Sequence, residues 1–280
     1  MVLGRRVGAV HRVEFYAVLF DGFLSPTLAD YPLVDHIEYR LRRTWPKGVT
    51  RRYVGEVRLR GVADLAFEEL LHLLESGPTV IEQLHVVGYS AGAVNAIRFC
   101  ERLLELPARP TKEPRSYHLH PGFLPRFLGR EETVESSARR VRPMTSLTIL
   151  DCNAQSRASL GVEVEKAPVV QLPIQRVLHL RSVKGPMRGL LDGRGLPVEF
   201  ALAGERREVY FGGHHGIFPL EGGRPALSVD DEATVSGSPE DALAGRGRVL
   251  RASQAVFDFV AETVKQAKRP VLVSGGVRLR

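Results

Sequence analysis

The residues of this sequence best suited to chemistry lie in the stretch 84–93, which reads LHVVGYSAGA. Ser90 stands between two glycines in a G-x-S-x-G pattern, after a short apolar run and before residues with helical spacing. A strand-to-helix turn of this kind lifts the serine hydroxyl clear of the sheet, and the helix N-terminus behind it favours a developing negative charge. The pattern predicts a nucleophile elbow with Ser90 as the nucleophile. The competing interpretation is an ordinary serine in a glycine-rich turn.

A serine nucleophile needs a histidine to take its proton and a carboxylate to orient that histidine. In parallel sheets such groups follow the carboxyl ends of strands, in the chain order serine, acid, histidine. Asp151 ends an apolar strand and is the predicted acid, with Asp192, in a D-G turn, as the alternative. His215 follows a strand in a glycine-rich loop and is the predicted base, with its neighbour His214 as the alternative. The competing interpretations are a turn or helix-cap aspartate and surface imidazoles.

The oxyanion of acyl transfer needs two backbone N–H donors. One is predicted at Ala91, the residue directly after the nucleophile. The other is predicted at Gly22 or Phe23, in the segment LFDGF that follows an early strand, because a glycine there allows close approach of a substrate.

The elements that must position these residues alternate along the chain. Apolar runs predict strands over 14–20, 54–59, 84–88, 147–150, 177–180, 198–202 and 208–211. Helical spacing predicts helices over 31–43, 62–76, 93–104 and 252–268, with Leu65, Leu70, Leu73 and Leu74 on the buried side of the second. Alternation of this kind indicates an α/β fold, in which a mostly parallel sheet is covered by helices on both faces.

We expect one domain over residues 1–280, with an insertion after the nucleophile helix. Residues 108–145 break the alternation and contain many prolines and arginines, which predicts a lid or surface loop. Apolar residues within this segment either hold it against the core or contact lipid: Phe123, Leu124, Phe127 and Leu128. The polar stretch 221–247 is predicted to be another surface loop.

The composition limits the classes of partner that the protein is expected to bind. A net charge of +7 suits an anionic partner such as a phospholipid surface, but the arginines are dispersed, which argues against a nucleic-acid partner. We predict that Cys100 and Cys152 are buried as small hydrophobic residues and do not form a disulfide. We predict neither a metal nor a cofactor. His118 and His120 have no third metal ligand at usable spacing. With no apolar run long enough for a membrane span and no signal peptide, we expect a cytoplasmic protein, unless a dedicated machine exports it.

The segments LFDG, VVGYSAGA, TILD and VYFGGHHG together resemble one branch of the α/β-hydrolases. That branch is a domain family of largely unknown function that includes type VI secretion phospholipase effectors. The resemblance implies a nucleophile at Ser90, an acid at Asp151 and a base at His215, with a glycerophospholipid or similar acyl ester as substrate. This chain departs from the family motifs at Phe23, where the family has Thr, and at Ala91, where it has Arg.

Together these observations predict a serine esterase or lipase. The departures from the family motifs favour a second hypothesis, in which the scaffold has lost its chemistry and serves as an interaction module in a secretion or phage-tail-like assembly. A third hypothesis is an intracellular thioesterase or peptidase that uses the same triad. The partners expected are an ester substrate, transient contact with an anionic membrane surface, and a protein in a larger assembly.

Overall fold

In the computed structural model of the chain, the described residues are 11–22, 32–54, 61–76, 79–104, 117–119, 144–150, 169–183, 198–212, 232–266 and 272–274. Their elements, in chain order, are β1 (His11–Val13), β2 (Tyr16–Phe20), α1 (Pro32–Thr44), β3 (Val49–Tyr53), α2 (Gly61–Glu75), β4 (Thr79–Ile81), β5 (Leu84–Tyr89), α3 (Ala91–Leu104), β6 (Tyr117–Leu119), β7 (Met144–Leu150), β8 (Val169–Val170), β9 (Ile174–Ser182), β10 (Glu199–Phe200), β11 (Ala203–Phe211), β12 (Ala233–Ser236), α4 (Pro239–Leu243), β13 (Arg248–Leu250), α5 (Ala252–Gln266) and β14 (Leu272–Ser274).

The main sheet has eight strands in the order β13-β12-β11-β9-β7-β5-β2-β3. The strands from β11 to β3 are parallel to their neighbours, whereas β12 and β13 add an antiparallel edge. Every residue of β2, β5 and β7 is buried, as expected for parallel strands covered on both faces. The prediction of an α/β fold with a mostly parallel sheet is confirmed at this level.

Helices cover both faces of the main sheet. The alternation of side chains along β2 separates two cores, because Val18 and Phe20 join the residues of α2 and α3, whereas Ala17 and Leu19 join those of α1 and α5. Each helix buries one apolar stripe, so the sheet is enclosed between two helical layers.

The strand order places a crevice next to β2. The chain passes from β2 to β3 on one side, then crosses to β5 on the other side of β2. Connections that leave neighbouring strands in opposite directions open a space at the carboxyl ends of those strands, which is where open α/β sheets bind ligands. The residues that follow β2 and β5 therefore face one crevice.

Short strands form two smaller sheets. One has the order β1-β4-β14-β6, and the other pairs β8 with β10. The predicted insertion at 108–145 lies outside the described residues, except for β6 and the first two residues of β7.

β3 was not predicted from the sequence; it takes its register from β2, and Tyr53 is opposite Phe20. The strand predicted at 54–59 lies outside the described residues, apart from Val54. The strand predicted at 198–202 shortens to β10 at Glu199–Phe200, and β11 begins at Ala203, earlier than predicted. Parallel pairing of β11 along β9 from Ile174 onward accounts for the longer strand.

Two further sequence predictions were wrong. The stretch 221–247 contains β12 and α4, whose first turn is stabilised by the Ser238 hydroxyl accepting the Asp241 N–H at 3.1 Å, with Pro239 next in the chain. Leu65, expected on the buried side of α2, is 51% exposed, whereas Leu70 and Leu74 are buried. The apolar stripe of α2 is narrower than the sequence indicates.

Cys100 is a buried free cysteine on α3, as predicted. Burial raises the pKa of its thiol, which keeps it protonated and unreactive. Cys152 lies outside the described residues.

A buried polar row crosses the sheet at His85. The His85 Nδ1 lies 2.7 Å from the Ser146 Oγ, and its Nε2 lies 3.1 Å from the Gln83 Oε1. A carbonyl oxygen can only accept, so Nε2 carries the proton and Nδ1 accepts the Ser146 O–H. The Phe15 ring stacks on the imidazole at 4.7 Å. These contacts suit a neutral imidazole, and burial lowers the pKa of His85 to about 3.

We expect His85 to make the protein less stable as the pH falls from about 6.5 towards 3. The unfolded chain binds a proton near the ordinary pKa of 6.5, but the folded imidazole does not, so the folded state loses stability by roughly 1.4 kcal/mol per pH unit. In urea unfolding, the advantage of the wild type over His85→Gln should shrink by about 2 kcal/mol between pH 6.5 and pH 5. His11→Gln, at an exposed strand position, is the control. An advantage of the same size at both pH values would contradict this assignment.

Candidate active site

Ser90 lies at the turn between β5 and α3, with a left-handed backbone. Its φ is +55°, and among the described residues it is the one non-glycine residue with positive φ. This conformation costs a non-glycine residue on the order of 1 kcal/mol or more, and strained residues of this kind are concentrated at functional sites. The Ser90 N–H donates to the Leu150 oxygen at 2.9 Å, and the Ser90 oxygen accepts the Ala93 N–H at 3.1 Å. Hydrogen bonds on both sides hold the turn in place.

Two glycines make the tight turn sterically feasible. A Cβ at Gly92 would lie 2.1 Å from the Phe20 oxygen and 2.5 Å from the Asp21 oxygen. A Cβ at Gly88 would lie 2.5 Å from the Gly92 oxygen. These are distances at which no side-chain carbon fits, so α3 presses directly on the backbone of β2 and β5. The turn at Ser90 thus adjoins the crevice beside β2.

Gly22, at the end of β2, lies beside the serine. A Cβ on Gly22 would be 3.2 Å from the Ser90 Cβ and 3.4 Å from the Tyr89 ring. However, the Gly22 N–H donates to the Asp21 Oδ1 at 2.8 Å, so in this structure it is not available to an oxyanion. Phe23, the other residue predicted as second donor, lies outside the described residues.

Ala91 is the first residue of α3 and is buried beside Ser90. The first N–H groups of a helix have no acceptor within that helix. The Ala91 N–H therefore has the position and the unpaired character that an oxyanion donor needs.

Asp21 is a site residue that the sequence analysis missed. Only 1% of it is exposed, and its Oδ2 accepts from the Arg52 Nε at 3.1 Å and Nη2 at 2.6 Å. Burial raises the pKa of this carboxyl, although the Arg52 guanidinium lowers it. Asp21 ends the strand before Gly22, so the strand-end rule that selected Asp151 would also have found it. Asp21 precedes Ser90 in the chain and so does not fit the order serine, acid, histidine expected of a triad acid.

Arg52 connects Asp21 to helix α1. The same guanidinium forms an ion pair with Asp35 and lies 3.9 Å from Glu38. The carboxylate of Asp21 is therefore one member of a partly buried network that joins β2, β3 and α1. We infer that this network holds the backbone at Gly22 against the Ser90 turn.

Most of the other predicted site residues lie outside the described residues: Phe23, Asp151, Asp192, His214 and His215. Their positions as catalytic side chains stay predictions. The strands that carry them are described, and β7 and β11 run parallel to β5 in one sheet. Leu150, the residue before Asp151, accepts the Ser90 N–H. The carboxyl ends of β7 and β11 thus lie at the same edge of the sheet as Ser90.

Two other histidines are buried within strands, as the sequence indicates. His85 and His179 are both 0% exposed, and the His179 Nδ1 lies 3.8 Å from the Glu208 carboxylate. His118 belongs to β6 in the small sheet, and His120 lies outside the described residues.

Comparison with known proteins finds no family model, no curated protein and no solved structure that matches this chain. Within the described part of the chain, no group of three or more His, Cys, Asp or Glu side chains is placed to hold a metal ion. None of the described helices is both long enough and apolar enough to cross a membrane. The functional argument therefore depends on the geometry around Ser90.

Proposed function

We propose that this protein is a serine hydrolase that acts on a carboxylic ester, with Ser90 as the nucleophile, Asp151 as the acid and His215 as the base. The observation that carries the proposal is the left-handed backbone of Ser90, at a turn between a parallel strand and a helix. A strained serine at this place exposes its hydroxyl at the carboxyl edge of the sheet, next to the crevice beside β2.

The reaction would proceed by acyl transfer. The Ser90 Oγ attacks the ester carbonyl carbon while His215 takes the hydroxyl proton. The carbonyl oxygen becomes an oxyanion that accepts from Ala91 and from Phe23 or Gly22. The C–O bond to the alcohol then breaks, and His215 returns the proton to the leaving alkoxide. Water, deprotonated by His215, hydrolyses the acyl-serine and regenerates the enzyme.

The network around Asp21 would act on the second oxyanion donor. In the structure the Asp21 carboxylate holds the Gly22 N–H, next to the Ser90 side chain. If Gly22 is the donor, this hydrogen bond must break on substrate binding. If Phe23 is the donor, the same bond holds the preceding peptide in place. Asp21 would be a positioning residue for the oxyanion site in the second case, and a competitor of the oxyanion for the Gly22 N–H in the first.

The substrate class we propose is a lipid or phospholipid acyl ester. The resemblance to the phospholipase-containing family supports this class, and so does the net charge of +7, which favours an anionic lipid surface. A thioester or a peptide bond would use the same nucleophile, so substrate assays must separate these classes.

Covalent labelling tests the nucleophile. The full-length protein, treated with a fluorophosphonate probe and digested, should carry one adduct on Ser90 by mass spectrometry. Ser90→Ala should abolish labelling, and Ser76→Ala should not, since the Ser76 hydroxyl is on an exposed residue bonded to the Leu73 oxygen. Absence of labelling in well-folded protein would favour the catalytically silent scaffold instead.

A substrate panel then assigns the class. We expect release of fatty acid from phospholipid vesicles or p-nitrophenyl acyl esters at rates at least tenfold above those with acyl-CoA or peptides. A preference for acyl-CoA or peptides would reassign the enzyme to the thioesterases or peptidases while leaving Ser90 as the nucleophile.

A further inference from the structure

A cleft lined by cations lies between α1 and α5, away from the Ser90 turn. Its volume is about 540 Å³, within the range of small-molecule sites. The residues that line it include no carboxylate: His36, Tyr39, Arg40, Arg43, Thr44, Arg251 and Phe257.

The arginines of this cleft differ from most others in the described part of the chain. Most described arginines form an ion pair with Asp or Glu: Arg12, Arg42, Arg51, Arg52, Arg102, Arg176, Arg181, Arg206, Arg207, Arg246 and Arg248. By contrast, Arg40, Arg43 and Arg251 have no ion pair with any described carboxylate. Within the described part of the chain, the three arginines of the cleft thus share the lack of a described carboxylate partner.

The sequence of α1 produces this arrangement. Residues 36, 40 and 43 follow the i, i+4, i+7 spacing of one helix face, while Leu33, Ile37 and Leu41 bury the other. The positive charges of Arg40 and Arg43, three residues apart on this face, repel each other. An anion in the cleft would remove that repulsion.

The carboxylates near the cleft interact with residues that do not line it. Glu38 binds Arg42 at 2.7 Å, and Asp35 pairs with Arg52. Asp258 of α5 accepts from Gln254 at 2.5 Å and lies 3.9 Å from Arg248. The helices that form the cleft therefore direct their acidic side chains to other partners.

Polar and aromatic groups complete the cleft. Arg40 donates to the Gln254 side chain, and its guanidinium carbon lies 5.9 Å from the centre of the Phe257 ring. These contacts hold one guanidinium in a defined place, while Arg43 and Arg251 stay exposed to solvent. Guanidinium groups bind phosphate oxygens in bidentate fashion, and the Thr44 and Tyr39 hydroxyls can donate to the remaining oxygens.

We propose that this cleft binds a phosphate group of a phosphomonoester or phosphodiester. The group can belong to a soluble phosphorylated compound or to the headgroup of an anionic lipid, and both present the same oxygens to the arginines. The site is independent of the proposed hydrolase activity, because its lining residues include none of the candidate catalytic residues.

Titration calorimetry of the full chain with inorganic pyrophosphate tests the soluble source. We expect saturable binding that weakens about tenfold in Arg43→Gln and again in Arg251→Gln, as expected for the loss of one charge-assisted contact each. Arg248→Gln is the matched control, because it removes the same charge from an exposed position outside the cleft and should change the affinity less than twofold. Equal weakening in the control would overturn the proposal in favour of non-specific attraction.

Co-sedimentation with vesicles tests the lipid source. Phosphatidylcholine vesicles with added phosphatidic acid should retain the wild type more than plain phosphatidylcholine does, and Arg43→Gln and Arg251→Gln should lose that excess while Arg248→Gln keeps it. Binding in either arm with this order of variants supports the cleft and identifies the source. The proposal is wrong if neither probe binds in a saturable way, or if melting temperatures show that the variants lost binding by unfolding.

Discussion

Ser90→Ala and His215→Ala should each lower kcat/KM for an activated acyl ester by about 10⁴-fold or more. The serine supplies the attacking oxygen and the histidine takes its proton, so removal of either group leaves only the oxyanion donors and substrate binding. Because the members of a triad act together, the double variant should be no slower than the slower single variant. Initial rates with a p-nitrophenyl ester measure the effect.

Controls at matched residues separate chemistry from folding. Ser76→Ala and His11→Ala remove the same side chains from exposed positions and should keep the wild-type rate. His214→Ala should keep most of the rate if His215 is the base, and Asp192→Asn should do the same if Asp151 is the acid. Wild-type rates in Ser90→Ala would exclude the proposed nucleophile.

The same position also reports on backbone strain. Ser90→Gly removes the side chain that disfavours φ of +55°, so this variant should lose activity yet gain roughly 1 kcal/mol in free energy of unfolding relative to Ser90→Ala. Equal stability of the two variants in urea unfolding would show that the turn is not strained.

Gly92→Ala should destabilise the protein by more than about 4 kcal/mol, a large fraction of the roughly 5–15 kcal/mol by which folded domains are stable. The added Cβ would lie 2.1 Å from the Phe20 oxygen and 2.5 Å from the Asp21 oxygen. Both are backbone atoms at the end of β2, a strand paired on both sides by β5 and β3, so no side-chain movement relieves the clash. Either α3 moves away from β2 or the domain does not fold.

Gly61→Ala is the control for this prediction. It places the same Cβ on the first residue of α2, where nothing lies within 4 Å, and should change the free energy of unfolding by at most about 1 kcal/mol, in the stabilising direction. Urea unfolding and soluble yield measure both variants. A Gly92→Ala protein as stable as Gly61→Ala would mean that α3 does not press on β2 as the structure has it.

The elements around Ser90 were predictable from the sequence because their signals are local. An apolar run, two glycines around a serine and a helical spacing fall within about twenty residues, and the strand, turn and helix follow directly. β3 was not predicted, for the opposite reason. Its five residues include Arg51 and Arg52, which read as polar, but Arg52 has a buried partner in Asp21 and Arg51 pairs with Glu69. Those partners are distant in sequence.

The candidate site likewise contains residues that a local motif predicts and residues that only the fold brings together. Ser90 and Ala91 are part of one local motif, so their relation to each other required no tertiary information. The contacts of Asp21 did require tertiary information, because its partner Arg52 comes from a neighbouring strand, 31 residues further along the chain. The arginine cleft also depends on the fold, since Arg251 precedes α5 and the other arginines belong to α1.

Local periodicity and turn chemistry in the chain alone were enough to establish the alternating elements, the parallel sheet and the serine turn. Only the folded arrangement decided the order of the strands, the engagement of the Gly22 N–H by Asp21 and the gathering of Arg40, Arg43 and Arg251 into one cleft. The physical reason is that backbone preferences act over a few residues, whereas charge pairing and steric contact join segments that meet only when the sheet assembles.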